Sequence, residues 1–151
     1  MRILVAGIGN LFLGGDGFGV EVLRRLAQRS LPEGVRAVDF GIRGVDLTYA
    51  LLEPWDAVIF VDATARGAAP GTLYVLEPRP TGPPSIEAHA MDPARVLSLA
   101  RELGEVPRTL RVVGCEPAAI DEGIGLSPRV AAAVDPALDR IESLVRELAH
   151  A

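Results

Sequence analysis

The chain has 151 residues, 49% of them hydrophobic, and a net charge of −5; this fits one domain over residues 1–151 with a full core and excludes a disordered chain. The acidic balance gives no electrostatic reason to bind nucleic acid. One cysteine, Cys115, excludes an internal disulfide framework, and 15 arginines with no lysine exclude a lysine-bearing phosphate loop and Schiff-base chemistry.

Residues 2–8 (RILVAGI) are a continuous apolar run, which predicts a strand buried on both faces. The glycine-rich stretch GIGNLFLGGDGFG leads out of it, and Val20, Leu23, Leu26 and Ala27 then mark one face of a first helix. VRAVDF predicts a second strand ending near Asp39, VDLTYALLE a short helix, and Asp56 to Asp62 a third strand. After the turn signal APG, TLYVLE reads as a short strand, at an edge or antiparallel. EPRPTGPPSIEAH is rich in proline and glycine and reads as loop. Asp92-Pro93 opens the next helix as N-cap and first-turn proline, and Gly104 closes it. TLRVVGCEP predicts another buried strand. Ser127-Pro128 and Asp135-Pro136 both read as helix starts, with Leu138, Ile141, Val145 and Leu148 as the apolar stripe that follows.

Strands alternating with helices predict an α/β fold: a mostly parallel twisted sheet between helices, with one short edge or antiparallel strand. With the first strand central, right-handed crossovers put the second on one side of it and the third on the other. The crevice between strands one and three is then the switch point, where such folds place ligands at the carboxyl ends. Asp16 follows the first strand and Asp62 ends the third, so topology brings them together. His89, one of two histidines, lies in the loop before the next helix, within reach of the same crevice. Two carboxylates and an imidazole form a donor set suited to a divalent metal.

A different class of function competes for the same opening. Gly7 and Gly9 after a first strand, with Asp39 ending the second, are reminiscent of a dinucleotide fingerprint. The third glycine position holds Phe12, however, and Asp16 puts negative charge where a phosphate needs backbone amides. This alternative, a non-catalytic nucleotide-binding or regulatory α/β domain, therefore ranks second. Other peptidase chemistries fare worse: the chain has no GxSxG elbow and no HExxH helix, and Cys115 at the end of a buried strand reads as a core residue. Taken singly, Asp16 and Asp62 are explained about as well by helix capping or loop bracing, and His89 better by solvation. Asn10 reads as a turn residue that ties the loop, Asp39 as a support for the loop or cleft, and Arg43 as a surface charge.

GIGNLFLGGDGFG, DFGIRG, VIFVDAT, the histidine of EAHAMDP and the tail TLRVVGCEP…GIGLSP together resemble the hydrogenase maturation proteases. These nickel-dependent endopeptidases trim the C-terminus of the large subunit of nickel–iron hydrogenases. The resemblance runs from residue 1 to about residue 148, with the pieces in the family's order. It implies a three-layer α/β/α sandwich and assigns the catalytic and metal-contacting roles to Asp16, Asp62 and His89; Gly7, Gly9, Asn10 and Asp39 are supporting candidates on the reading of the loop and strand ends above. It also implies nickel carried by the large-subunit precursor. The acidic charge and the lack of a long apolar run predict no nucleic-acid or membrane partner and a cytoplasmic location, and action on one folded partner calls for no more than a monomer. Two departures stand out. The acidic pair common in the loop is Gly15-Asp16 here, and the glycine–threonine stretch after the second strand is Gly41-Ile42-Arg43-Gly44, a change that bears on substrate choice.

Overall fold

The computed structural model describes residues 1–9, 17–79, 93–118 and 126–150. Within them the chain runs β1 (Ile3–Ile8), α1 (Phe18–Leu26), β2 (Val35–Gly41), α2 (Gly44–Leu51), β3 (Ala57–Ala63), β4 (Leu73–Leu76), α3 (Pro93–Leu103), β5 (Thr109–Cys115), α4 (Pro128–Ala132) and α5 (Val134–Ala149). The five strands form one sheet in the order β2-β1-β3-β5-β4. All neighbours are parallel except β4, which runs antiparallel to β5 at the edge. The first strand thus lies between the second and the third, and TLYVLE is both an edge strand and antiparallel.

Burial follows position in the sheet. The central strands β1 and β3 are buried along nearly their whole length, because helices cover both faces. The edge strand β2 exposes Arg36 and Asp39. Alternation along each strand divides the core into two layers. Ile3, Val5, Ile59, Val61, Val113 and Cys115 pack with α1 and α5, while Leu4, Ala6, Ile8, Val58, Phe60 and Val112 pack with α2 and α3. The result is an α/β/α sandwich.

Two helix details differ from the sequence pattern. The buried face of α1 is Phe18, Gly19, Val22, Leu23 and Leu26, whereas Val20 is half-buried and Ala27 exposed. The helix starts at Phe18 and rolls so that Gly19, the residue able to approach most closely, faces the sheet. Ser127 caps α4 through a hydrogen bond from the Val130 amide to its Oγ, at 3.4 Å, with Pro128 in the first turn. Asp135 and Pro136, by contrast, sit inside the first turn of α5, which begins at Val134. Pro93 opens α3, and the Gly104 amide bonds the Ala100 carbonyl just beyond its end.

Candidate active site

The carboxyl ends of β1, β2 and β3 form one rim. Gly7 pairs with Asp39 on one side and with Val61 on the other, so Asp39 and Asp62 flank the end of β1. The β1–β2 register shifts between Gly7 and Ile8, re-aiming the chain as it leaves the sheet. The Gly9 amide then donates to the Gly41 carbonyl at 3.0 Å and keeps the two strand ends together. Gly19 brings α1 onto this rim: a β-carbon there would collide with the carbonyl oxygens of Ile8 and Val61. Close packing of helix against strand, the third glycine's task in a dinucleotide fold, is thus performed by Gly19.

Asp62 is 8% exposed. Alternation after Phe60 turns it to the α2/α3 face, where it lines an open cleft of about 540 Å³ together with Thr64, Arg66, Leu76, Glu77 and Val112. The carboxylate therefore sits at the end of an apolar floor, recessed but reachable. Pro78 and Pro93, the described residues near either side of segment 80–92, line the same cleft. Asp39 is exposed, and its Oδ1 accepts from the Gly41 amide at 2.9 Å, closing a tight turn at the end of β2. Asp16, Asn10 and His89 lie outside the described residues. Among the described residues no three His, Cys, Asp or Glu side chains gather closely enough to hold a metal ion.

Arg43 is more than a surface charge. Its guanidinium donates to the Asp39 carbonyl at 2.7 Å and the Phe40 carbonyl at 3.2 Å, and pairs with Asp46 at 3.4 Å, bracing the β2–α2 junction. Its neighbour Ile42 is exposed, as are Val45 and Tyr49 farther along α2.

One structured carboxylate was not singled out from the sequence. Glu116, 5% exposed, accepts on a single oxygen, Oε1, from the Arg66 amide at 2.8 Å, the Ala68 amide at 3.1 Å and the Tyr74 hydroxyl at 2.7 Å. Its own backbone bonds Thr72 and Gly71. It therefore clamps the loop that follows Asp62. The Tyr74 hydroxyl, then the Arg66 amide, hold the Glu116 carboxyl below the usual range; the same bond, with burial, pushes the Tyr74 hydroxyl up. The available signal was a charged residue directly after a buried strand. Cys115, beside it, is fully buried, and desolvation, with Glu116 adding to it, pushes its thiol up to about 11. A thiol held protonated in this way is no nucleophile.

Comparison with known proteins converges on one family. The family model described as hydrogenase maturation protease matches residues 20–144. The hydrogenase 2 maturation protease of Escherichia coli is 37% identical over 154 residues, covering 97% of this chain and 92% of that protein. The solved structure of the hydrogenase maturating endopeptidase HybD from E. coli superimposes with a TM-score of 0.83 at 36% identity, covering 97% of this chain and 93% of that one. A crystal structure of a hydrogenase 2 maturation peptidase from a Thaumarchaeota archaeon gives a TM-score of 0.71 at 30% identity, covering 96% of this chain and 98% of that one.

Proposed function

The chain belongs to the hydrogenase maturation protease family and is a peptide-bond hydrolase; on that premise we propose that it removes a C-terminal peptide from the nickel-loaded large-subunit precursor of a nickel–iron hydrogenase. The observation that carries this reading is the recessed Asp62 carboxylate at the carboxyl end of β3, lining an open cleft of about 540 Å³. In this reading Asp16, Asp62 and His89 form the catalytic set and engage the nickel that the substrate brings. The reaction is thus of aspartic type in its reliance on carboxylates.

The donor chemistry suits that role. Carboxylate oxygens and an imidazole nitrogen accept a divalent first-row ion, and three protein donors leave positions for the substrate's own groups. Asp62 is screened from bulk water on the apolar floor of Leu76 and Val112, which strengthens its interaction with any cation that enters. Gly7 and Gly9 carry the chain toward Asn10 and Asp16, and Asp39 holds the turn beside them. The exposed Ile42, in place of the family's usual glycine–threonine stretch, bears on which precursor is accepted.

The enzyme is proposed to act as a cytoplasmic monomer, one domain over 1–151, without nucleic-acid or membrane partners. No helix among the described residues is long and apolar enough to cross a membrane. The test is incubation with nickel-loaded precursor, followed by mass spectrometry for loss of the C-terminal peptide. Cleavage of the loaded precursor, with metal-free precursor left intact, is the expected result; no cleavage by folded protein overturns the reading.

A further inference from the structure

The wall of the Asp62 cleft formed by the β3–β4 loop carries one cation, Arg66. Thr64, Ala65 and Arg66 line that wall. Glu116 fixes it from behind, gripping the Arg66 and Ala68 amides and the Tyr74 hydroxyl through Oε1. The Arg66 guanidinium lies 5.7 Å from the centroid of the Tyr74 ring. One tyrosine therefore joins the two: Glu116 holds its hydroxyl, and its face supports the arginine. Among the described residues the Arg66 guanidinium forms no ion pair, whereas Glu77, which also lines the cleft, is engaged by Arg111 at 3.4 Å.

We propose that Arg66 binds a carboxylate of the substrate polypeptide as it enters the cleft, and that Glu116 is the positioning residue that presents it. The inference rests on the peptidase reading above and names a substrate contact that reading leaves unassigned. A guanidinium is a planar fork that receives a carboxylate through two parallel hydrogen bonds. Holding that fork against Tyr74 before substrate arrives lowers the ordering cost of binding. The carboxylate is either an acidic side chain or the free C-terminus of the precursor.

The experiment measures KM and kcat on nickel-loaded precursor. Arg66→Gln is expected to raise KM about tenfold, the loss of one charge-assisted pair, with kcat nearly unchanged. Glu116→Gln keeps an acceptor oxygen but not the charge and is expected to raise KM less than Glu116→Ala does. Glu116→Ala raises KM, and the Arg66→Gln/Glu116→Ala double variant is no worse than Arg66→Gln alone, a non-additivity that general destabilisation would not produce. A wild-type KM in Arg66→Gln overturns the proposal. Amidating the precursor's C-terminus, or converting acidic side chains near the cleavage point to amides, identifies which carboxylate is read. If neither change weakens wild-type binding, the proposal also falls. Fluorescence anisotropy of a labelled synthetic peptide of the precursor's C-terminal sequence reads binding without cleavage. Arg66-dependent peptide binding together with no cleavage of the nickel-loaded precursor sinks the peptidase reading alone; binding that is absent, or equal in Arg66→Gln, sinks this one.

Discussion

Gly19 meets Val61 so closely that a β-carbon on the glycine would stand 2.5 Å from the valine's carbonyl oxygen. That oxygen and the Ile8 carbonyl belong to the two central strands, which are hydrogen-bonded on both sides and cannot withdraw. The first turn of α1 is thereby seated over the crevice between β1 and β3. Gly19→Ala is expected to cost about 1–3 kcal/mol, toward the upper end because backbone must move. Urea unfolding checks this, and wild-type stability in the variant would show that the close approach is dispensable.

Asp62→Asn keeps the shape of the side chain and removes its charge. The fold should persist, because the amide keeps the volume of the carboxylate at a position only 8% exposed. Cleavage of the loaded precursor should fall at least about a hundredfold, the scale of losing a reacting acid–base group. A variant that still cleaves at the wild-type rate would remove Asp62 from the catalytic set.

The Glu116–Tyr74 pair sets a pH window for the loop. Glu116 has a native value below its ordinary 4.5, so its contribution is present above 4.5 and disappears as pH falls through the lower native value. Tyr74 is raised above its ordinary 10.0, so its contribution is complete below 10.0 and disappears as pH rises through the higher native value. The stability advantage of wild type over Glu116→Gln should therefore shrink on acidification below about pH 4.5. Urea midpoints measured from pH 7 to pH 3 decide it; a constant difference would mean the carboxylate charge is immaterial.

Cys115 should be inert. Its thiol is fully buried and pushed up to about 11, so native protein at pH 8 is expected to resist iodoacetamide and to react only when unfolded. Cys115→Ala should cleave normally while losing about 1 kcal/mol of stability to the small cavity. Rapid native alkylation together with loss of activity would reopen a thiol mechanism.

Much of this architecture is legible in the sequence because the governing signals are local. The unbroken apolar runs of β1 and β3 announce strands covered on both faces, and alternation with helices then places Asp62 at the switch point. The face of α1 is misread because the spacing of Val20, Leu23 and Leu26 fits a helix as well as the true stripe does. Contact through Gly19, which has no side chain to signal burial, decides between them. Glu116 carries only a faint signal, a charge directly after a buried strand, because its partners are two main-chain amides and a tyrosine far away in sequence. Asp16 and His89 rest on topology and resemblance, with the described structure adding that the flanking Gly17 is buried at the α1 N-cap and that Pro93 lines the cleft.

The two core layers carry unequal duties. Among the described residues the α1/α5 layer holds the larger set of buried side chains, while the Asp62 cleft opens on the α2/α3 layer. Retargeting the enzyme to another precursor is thus best attempted by randomising the cleft wall and the α2 surface. Such libraries leave the thicker layer as an untouched chassis, and a large fraction of their members should still fold.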